Sequence, residues 1–258
     1  MTETASWSAM PTDKTILILG GTAEARDLAD RLTGRSGFRV ITSLAGRTKS
    51  VAALSGEIRS GGFGGAEGLA NYLSSETISL VIDATHPFAA TISTHAFEAC
   101  VDTNTPRITL TRPPWPLPEG GGWQEVANLT AAAETLPGLA SRVFVTTGQR
   151  GLEAFTGMDD IHFLVRLIEM PADPLPLTDY RVITARPPHD LDTERALLSQ
   201  HRIDCLVSKN SGGAATEAKI TAALEASIPI VLIQRPAPPP GDCADSVDDC
   251  VAWIEEKL

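Results

Sequence analysis

The first apolar run of the chain constrains the fold most strongly. Ile16 to Leu19 is short and uninterrupted, as in a strand that is covered on both faces. Gly20 and Gly21 end the run, and the spacing after them predicts a helix with Thr22 as N-cap and Glu24 in its first turn. A strand, a glycine turn and a helix N-terminus in this order indicate an anion site for a phosphate or dinucleotide. They also suit a purely structural turn of a parallel sheet, and this stretch alone leaves both interpretations open.

Strand and helix patterns then alternate to the end of the chain, which favours parallel sheets. The patterns predict a flexible tail over residues 1–13, an N-terminal domain over residues 14–112 and a C-terminal domain over residues 113–258. The boundary falls where the proline- and glycine-rich segment 112–122 can continue neither a helix nor a strand.

Composition excludes several functional classes. The chain has 258 residues and a net charge of −11, which argues against nucleic-acid binding but permits a local cationic site for an anionic ligand. No apolar run approaches the roughly 20 residues of a membrane helix, and residues 1–14 contain no apolar signal core. The four cysteines show no metal-ligand spacing, so we expect a reduced cytoplasmic protein without a bound metal. The sequence leaves the oligomeric state open.

Several glycine-rich or polar segments share one position, directly after the carboxyl end of a predicted strand. They are Gly20-Gly21 and the segments 43–48, 83–86, 146–148 and 208–213. In open α/β sheets this edge is where ligands bind. Two such sheets facing each other across a hinge would hold a ligand in the cleft between them.

Three of these segments carry side chains suited to binding or proton transfer. Lys209 and Ser211 suit a phosphate or carboxylate, although the same residues also suit an ordinary capped helix with a solvated lysine. His86 suits hydrogen bonding to a ligand or a change of protonation near neutral pH. The same segment also suits a purely structural role at the start of a helix. Arg47 and Thr48 follow the second strand, where they suit the 2′-phosphate of a dinucleotide or a plain surface position.

Four motifs in a fixed order resemble the precorrin-6A reductase family of cobalamin biosynthesis. They are Gly20-Gly-Thr-Ala-Glu-Ala-Arg26, Asp83-Ala-Thr-His-Pro-Phe-Ala89, Thr147-Gly148 and Ser208-Lys-Asn-Ser-Gly-Gly213, within a resemblance from about Lys14 to about Pro236. The resemblance implies an α/β fold of two Rossmann-like domains, with parallel sheets facing an interdomain cleft. It also implies NADPH-dependent reduction of a ring double bond of precorrin-6A, a tetrapyrrole, to give precorrin-6B.

The resemblance and the strand-end positions together give the expected site. The expected cofactor-binding residues are Gly20, Gly21, Thr22, Glu24, Arg47, Thr48, Lys209, Asn210, Ser211, Gly212, Gly213 and Thr216. His86 is the expected proton donor, with water as the alternative. Which turn holds the cofactor and which the substrate stays open, as does the presence of cobalt in the substrate.

The rest of the expected pocket is cationic and apolar, to suit the carboxylates and the ring of a tetrapyrrole. We expect Trp115 or Phe88 to lie against the ring. The cations near loop ends are Arg26, Arg47, Arg112, Arg150, Arg166, Lys209 and Arg235. A glycosyltransferase that uses a nucleotide-sugar, or a non-catalytic tetrapyrrole-binding protein, remains an alternative on the same scaffold.

Overall fold

A computed structural model describes residues 13–45, 54–117 and 121–258. The chain divides into two compact units. Of the described residues, those up to Arg112 and those from Pro236 to Leu258 form unit 1, and those from Pro113 to Arg235 form unit 2. The prediction for residues 1–12, and the one for Arg47 and Thr48, lie outside the described residues.

Strands and helices alternate over most of the described chain, as the sequence predicts, although the strand His162–Leu167 is followed directly by the strand Tyr180–Thr184. In chain order the elements are β1 (Lys14–Leu19), α1 (Ala23–Leu32), β2 (Phe38–Leu44), β3 (Glu57–Ser60), α2 (Gly65–Ser75), β4 (Ile78–Asp83), α3 (Ala90–Thr103), β5 (Arg107–Leu110), β6 (Trp123–Val126), α4 (Leu129–Thr135), β7 (Arg142–Val145), β8 (His162–Leu167), β9 (Tyr180–Thr184), α5 (Leu191–Gln200), β10 (Cys205–Lys209), α6 (Ala218–Glu225), β11 (Ile230–Ile233), β12 (Asp242–Ala244) and α7 (Val247–Lys257). Short 3₁₀ helices cover Leu152–Phe155 and Ala214–Thr216.

Unit 1 is built on a six-stranded parallel sheet with the order β12-β5-β4-β1-β2-β3. Successive residues of β1 face opposite sides, so Ile16 and Ile18 pack with α1 and α7, and Leu17 and Leu19 pack with α2 and α3. Because helices cover both faces, the central strands are apolar throughout. This explains the uninterrupted apolar run at the start of the chain.

Unit 2 repeats the plan with a six-stranded parallel sheet in the order β6-β11-β10-β7-β8-β9. One face packs with α5 and α6 in a core that includes Phe144, Leu206 and Ile220. Two parallel sheets with helices on their faces make a two-domain Rossmann-like fold, as predicted.

One part of the predicted domain division is wrong. Residues 236–258 were assigned to the C-terminal domain, but they belong to unit 1. The reason is that β12 pairs in parallel with β5, and α7 buries Val247, Cys250 and Ile254 in the unit 1 core. One edge strand of each sheet therefore comes directly after a strand of the other sheet in the chain. β6 follows β5 but lies beside β11, and β12 follows β11 but lies beside β5.

Candidate ligand-binding turns at the two switch points

In unit 1 the strand order reverses between β1 and β4, which is the position where open α/β sheets bind ligands. The first motif follows β1 there, and the second follows β4. Thr22 joins them, because its Oγ1 donates a hydrogen bond to the carbonyl oxygen of Ala84 at 2.8 Å. The same hydroxyl accepts from the backbone N–H of Ala25 at 3.1 Å, so it also caps α1, as predicted.

The two glycines before Thr22 are needed for different reasons. A Cβ on Gly20 would lie 3.1 Å from Cγ2 of Thr42, so close packing against β2 favours glycine. Gly21 has φ of +119°, a conformation that side chains rarely adopt, and a Cβ there would meet no atom of the described residues within 4 Å. The backbone at Gly21 is therefore open to the close approach of a ligand.

A buried carboxylate shapes the second motif. Asp83 is 1% exposed, and its Oδ1 accepts hydrogen bonds from the backbone N–H and the hydroxyl of Thr85 at 3.2 and 2.7 Å. Its Oδ2 is buried and has no hydrogen-bond partner among the residues that the structure describes. Asp83 thus fixes the backbone direction of the loop that carries His86.

His86 lies in that loop and is exposed. Its Nδ1 accepts a hydrogen bond from the backbone N–H of Phe88 at 3.2 Å, and the two rings are 5.9 Å apart between centroids. A neutral imidazole that accepts at Nδ1 carries its proton on Nε2. The ring is therefore held in the tautomer that donates from Nε2.

Glu24 lies in the first turn of α1 and forms an ion pair with Arg112, at 2.9 Å between Oε2 and Nη1. Both side chains are half-buried. The pair joins the start of α1 to the last residue of unit 1 before the chain enters unit 2. The contacts of Glu24 in this structure are thus those of an ion-pair partner.

In unit 2 the strand order reverses between β7 and β10. The Thr147-Gly148 motif follows β7, and the motif that begins at Ser208 spans the end of β10. Lys209 joins them, because its Nζ donates to the carbonyl oxygen of Thr147 at 2.8 Å. Burial lowers the pKa of Lys209 below its usual value, and the positive charge of Arg150 adds to the effect.

The residues that follow Lys209 are held by neighbours on both sides. Asn210 and Ser211 are buried, and Nδ2 of Asn210 donates to Oε1 of Glu125 at 3.4 Å. Nε of Arg235 donates to the carbonyl oxygen of Asn210 at 2.6 Å. Oδ1 of Asn210 and Oγ1 of Thr147 are buried without a hydrogen-bond partner in the described part of the chain. Polar atoms of this kind at a switch point fit a ligand that brings its own hydrogen-bonding groups.

Gly212 and Gly213 have φ of +62° and +81°. A Cβ on Gly212 would lie 2.0 Å from the carbonyl oxygen of Pro113 and 2.5 Å from Nη2 of Arg235, so only glycine fits. Thr216 ends the short 3₁₀ helix before α6, and its carbonyl oxygen accepts from Nζ of Lys219 at 2.7 Å. The structure thus brings Lys209, Asn210, Ser211 and the two glycines together on one tightly packed turn.

A family profile described as "Precorrin-6x reductase CbiJ/CobK" matches residues 15–255. The chain belongs to this family. It is 42% identical over 240 residues to a precorrin-6A reductase of Rhodococcus erythropolis, covering 93% of this chain and 96% of the relative. It is 28% identical over 258 residues to a cobalt-precorrin-6A reductase of Synechocystis sp., covering 95% of this chain and 97% of the relative.

Among solved structures, the chain is similar to one named "CobK precorrin-6A reductase". The TM-score is 0.88 at 40% sequence identity, and the match covers 95% of this chain and 97% of that chain. The resemblance to a precorrin-6A reductase family and the two-domain Rossmann-like fold are therefore confirmed.

Two side chains considered for the pocket, Arg166 and Trp115 as the alternative to Phe88, are buried in unit 2. Trp115 is 5% exposed and donates from Nε1 to the carbonyl oxygen of Gly213 at 3.0 Å, so it belongs to the core of unit 2. Arg166 is buried and forms a two-point ion pair with Glu194, in which Nη2 and Oε2 are 3.0 Å apart. Neither side chain is placed to contact a macrocycle.

Two further properties concern the part of the chain that the structure describes. Within it, no cluster of three or more His, Cys, Asp or Glu side chains is placed to hold a metal ion. None of the described helices is both long and apolar enough to cross a bilayer.

Sequence reasoning missed the contacts that join the two motifs in each unit. The Thr22–Ala84 and Lys209–Thr147 hydrogen bonds connect residues that are 62 positions apart in both cases. In the sequence, each motif directly follows a predicted strand. That shared position predicts that the loops are neighbours, but it does not predict which of their atoms form hydrogen bonds. Lys219 carries no such signal, because a lysine on a helix is usually solvated.

Proposed function

We propose that this chain catalyses the NADPH-dependent reduction of precorrin-6A to precorrin-6B in cobalamin biosynthesis. The observation that carries the proposal is the relationship to named precorrin-6A reductases over more than nine-tenths of both chains. Family membership favours this activity over the glycosyltransferase and the non-catalytic binding protein. A cytoplasmic location is part of the proposal, and the four unpaired cysteines support it.

The residues at both switch points fit a dinucleotide. The open backbone at Gly21 and the N-terminus of α1 suit a pyrophosphate, and the unpartnered atoms of Thr147 and Asn210 suit amide or hydroxyl groups. When bound, NADPH supplies a hydride to one ring carbon of the substrate. The protein has to bind and orient both molecules and keep water out.

We assign the binding of anionic groups to the two turns. Gly20, Gly21 and Thr22, with Glu24 beside them, form one set in unit 1, and Arg47 and Thr48 are proposed to read the 2′-phosphate. The second set is Lys209, Asn210, Ser211, Gly212, Gly213 and Thr216 in unit 2. In unit 2 the ammonium group of Lys209, which donates to the carbonyl oxygen of Thr147, is a cation that suits phosphate or carboxylate oxygens.

His86 is the proposed proton donor to the ring carbon next to the one that receives the hydride. To donate, His86 has to be the imidazolium, which returns to the neutral ring as its proton goes to carbon; a neutral ring that lost its Nε2 proton would be left as an imidazolate. The contact in which Nδ1 accepts from the N–H of Phe88 belongs to the neutral ring before it takes up that proton. His86→Gln is expected to lower kcat and leave the KM of both ligands within about threefold, because only proton transfer is lost. An unchanged kcat would assign the proton to water instead.

The proposed substrate is a tetrapyrrole with acetate and propionate side chains. Burial and, to a smaller extent, the positive charge of Arg150 lower the pKa of Lys209, so two cations lie near the turn of unit 2. Such a region suits the carboxylates of the substrate as well as phosphates.

The test is anaerobic turnover of precorrin-6A with NADPH and with NADH, for the wild type and for Arg47→Ala. We expect the wild type to oxidise NADPH with formation of precorrin-6B and to prefer NADPH over NADH. Arg47→Ala should reduce that preference by about tenfold or more, the scale of one lost charge-assisted phosphate contact. Binding of precorrin-6A without oxidation of either cofactor would overturn the proposed function, and an unchanged preference in the variant would overturn the role of Arg47.

A further inference from the structure

Arg59 places a guanidinium group at the carboxyl edge of the unit 1 sheet. It lies on β3 opposite Ser43 of β2 in the parallel register, and its Nη1 donates to Oγ of Ser43 at 3.3 Å. The carbonyl oxygen of Ser43 in turn accepts from the backbone N–H of Gly20 at 2.9 Å. These contacts connect Arg59 with the glycine turn after β1 across three neighbouring strands.

The backbone that follows β3 holds this guanidinium group in place. Nη1 of Arg59 also donates to the carbonyl oxygen of Gly61 at 2.6 Å, and Nη2 donates to that of Gly62 at 2.8 Å. Cζ of Arg59 lies 3.7 Å from the centroid of the Phe63 ring, a cation–π distance. Phe63 is itself packed closely on α2, because a Cβ on Gly68 would lie 1.9 Å from its carbonyl oxygen. Arg59 is therefore pre-organised and does not move freely as a surface side chain does.

Two N–H groups of Arg59 have no partner among the described residues. Of the five N–H groups of an arginine, three donate to Ser43, Gly61 and Gly62. The Nε–H and the second N–H of Nη2 donate to no residue that the structure describes. These two groups lie side by side, as the fork that binds two oxygens of one carboxylate or phosphate.

Arg39 shows what such a fork binds within the same unit. Its Nε and Nη2 both donate to the carboxylate of Glu57 at 2.8 Å, and its Nη1 donates to Glu76 at 3.0 Å. Arg39 lies near the start of β2, away from the carboxyl edge of the sheet. In contrast, no Asp or Glu in the described part of the chain forms an ion pair with Arg59. The positive charge at the carboxyl edge thus has no counter-ion there.

The position of the Arg59 fork favours one kind of ligand group. In a β-α-β unit that binds a dinucleotide, the pyrophosphate lies at the turn after the first strand, and the adenosine ribose lies near the end of the second. An acidic residue there suits an unphosphorylated ribose, whereas an arginine nearby accommodates a 2′-phosphate. The last three residues of β2 are Thr42, Ser43 and Leu44, none of which is acidic. A guanidinium fork beside Ser43 therefore fits a 2′-phosphate.

We propose that Arg59 is a specificity-determining residue that binds the 2′-phosphate of NADPH through Nε and Nη2. The inference rests on the proposed function, because it assigns the adenosine end of NADPH to unit 1. Ser43 and the carbonyl groups of Gly61 and Gly62 hold the guanidinium in the orientation that presents the fork. This role of Arg59 does not depend on Arg47, which lies outside the described residues.

The test measures the Kd of NADPH and of NADH by titration calorimetry for the wild type, Arg59→Met and Arg59→Lys. Arg59 is half-buried on an edge strand, so both variants should fold. Arg59→Met should raise the Kd of NADPH about tenfold to a hundredfold and change that of NADH by less than about twofold, because only the phosphate contact is lost. Arg59→Lys keeps the charge without the planar fork, so it should raise the Kd of NADPH about threefold to tenfold.

Arg39→Met is the matched control, and it should change neither Kd by more than about twofold. A merely structural role of Arg59 would affect both cofactors, since NADH needs the same backbone. The inference is overturned if folded Arg59→Met loses affinity for NADPH and NADH by the same factor, or if it binds both as the wild type does. A higher KM for precorrin-6A with an unchanged ratio of the two Kd values would assign the fork to a substrate carboxylate and also overturn it. A wild type that prefers NADPH but does not reduce precorrin-6A would instead defeat the proposed function and leave the role of Arg59 standing.

Discussion

The two switch points have the same topology and different chemistry. In unit 1 the neutral hydroxyl of Thr22, in the turn after β1, donates a hydrogen bond to the carbonyl oxygen of Ala84. The buried carboxylate of Asp83 is next to Ala84 in the chain. In unit 2 a cation, Lys209, makes the corresponding contact to Thr147, and Arg150 is close enough to affect its pKa. The fold places a turn at the carboxyl edge of each sheet. The side chain that bonds the two neighbouring loops is neutral in unit 1 (Thr22) and cationic in unit 2 (Lys209), so the two turns differ in charge.

The two turns also differ in how tightly they are packed. Gly21 faces open space, whereas Gly212 lies against the backbone of Pro113 and the guanidinium of Arg235. Unit 1 therefore leaves room at its turn for a ligand to approach the backbone. Unit 2 instead packs its turn closely against Pro113 and Arg235.

The largest expected effect comes from adding a methyl group at each turn. Gly212→Ala would place Cβ 2.0 Å from a carbonyl oxygen, so the backbone must move, at a cost of about 3 kcal/mol or more. Gly21→Ala meets no described atom and should cost about 1–2 kcal/mol of backbone strain. Thermal unfolding of both variants measures the difference. Equal losses would show that the two turns are packed alike.

Removing the cation of unit 2 is expected to have the next largest effect. Lys209→Met should raise the KM of the anionic ligand that this turn binds by about tenfold to a hundredfold, as for a lost charge-assisted contact. Steady-state kinetics with each ligand varied in turn identifies which one the turn binds. If neither KM changes, Lys209 is not part of the binding site of either ligand.

Removing the hydroxyl of Thr22 in unit 1 is expected to lower the stability of the protein. Thr22→Val loses the cap of α1 and the bond to Ala84, at a cost of about 1–2 kcal/mol in the free energy of unfolding. Thr22→Ser keeps both hydrogen bonds and serves as the control. Chemical denaturation of both variants checks this, and a Thr22→Ser protein as unstable as Thr22→Val would contradict it.

The smallest effect concerns pH. Because burial lowers the pKa of Lys209, its positive charge is lost as the pH rises, at a pH below the ordinary lysine value of 10.5. Affinity for the anionic ligand of unit 2 should therefore weaken at alkaline pH in the wild type. Lys209→Arg should weaken less, since arginine stays protonated. Parallel pH profiles for the two proteins would indicate that Lys209 is not the titrating group.

The elements that the sequence predicts well are those with a local signal. The apolar run of β1 and the cap at Thr22 both appear where their patterns indicate. β12 was missed because its three residues carry no apolar run and their position depends on pairing with β5, far away in the chain. That non-local pairing also explains why residues 236–258 belong to unit 1.

The sequence predicts which loops of the site are neighbours, but it does not predict which of their side chains are buried. Parallel topology brings Gly20–Thr22 beside Asp83–His86, and Thr147 beside Lys209, because carboxyl ends of neighbouring strands meet at one edge. Burial of polar side chains was not predictable from local pattern. Trp115 and Arg166 were expected near the substrate, and packing places both inside unit 2.

The most direct test of the proposed reaction follows the hydrogen itself. Precorrin-6A is reduced anaerobically by the wild-type protein with NADPH that carries deuterium at both C4 positions, and the product is analysed by mass spectrometry. The account predicts precorrin-6B that is heavier by one deuterium than the product formed with unlabelled NADPH. Unlabelled precorrin-6B, or intact precorrin-6A with the cofactor still reduced, would contradict it.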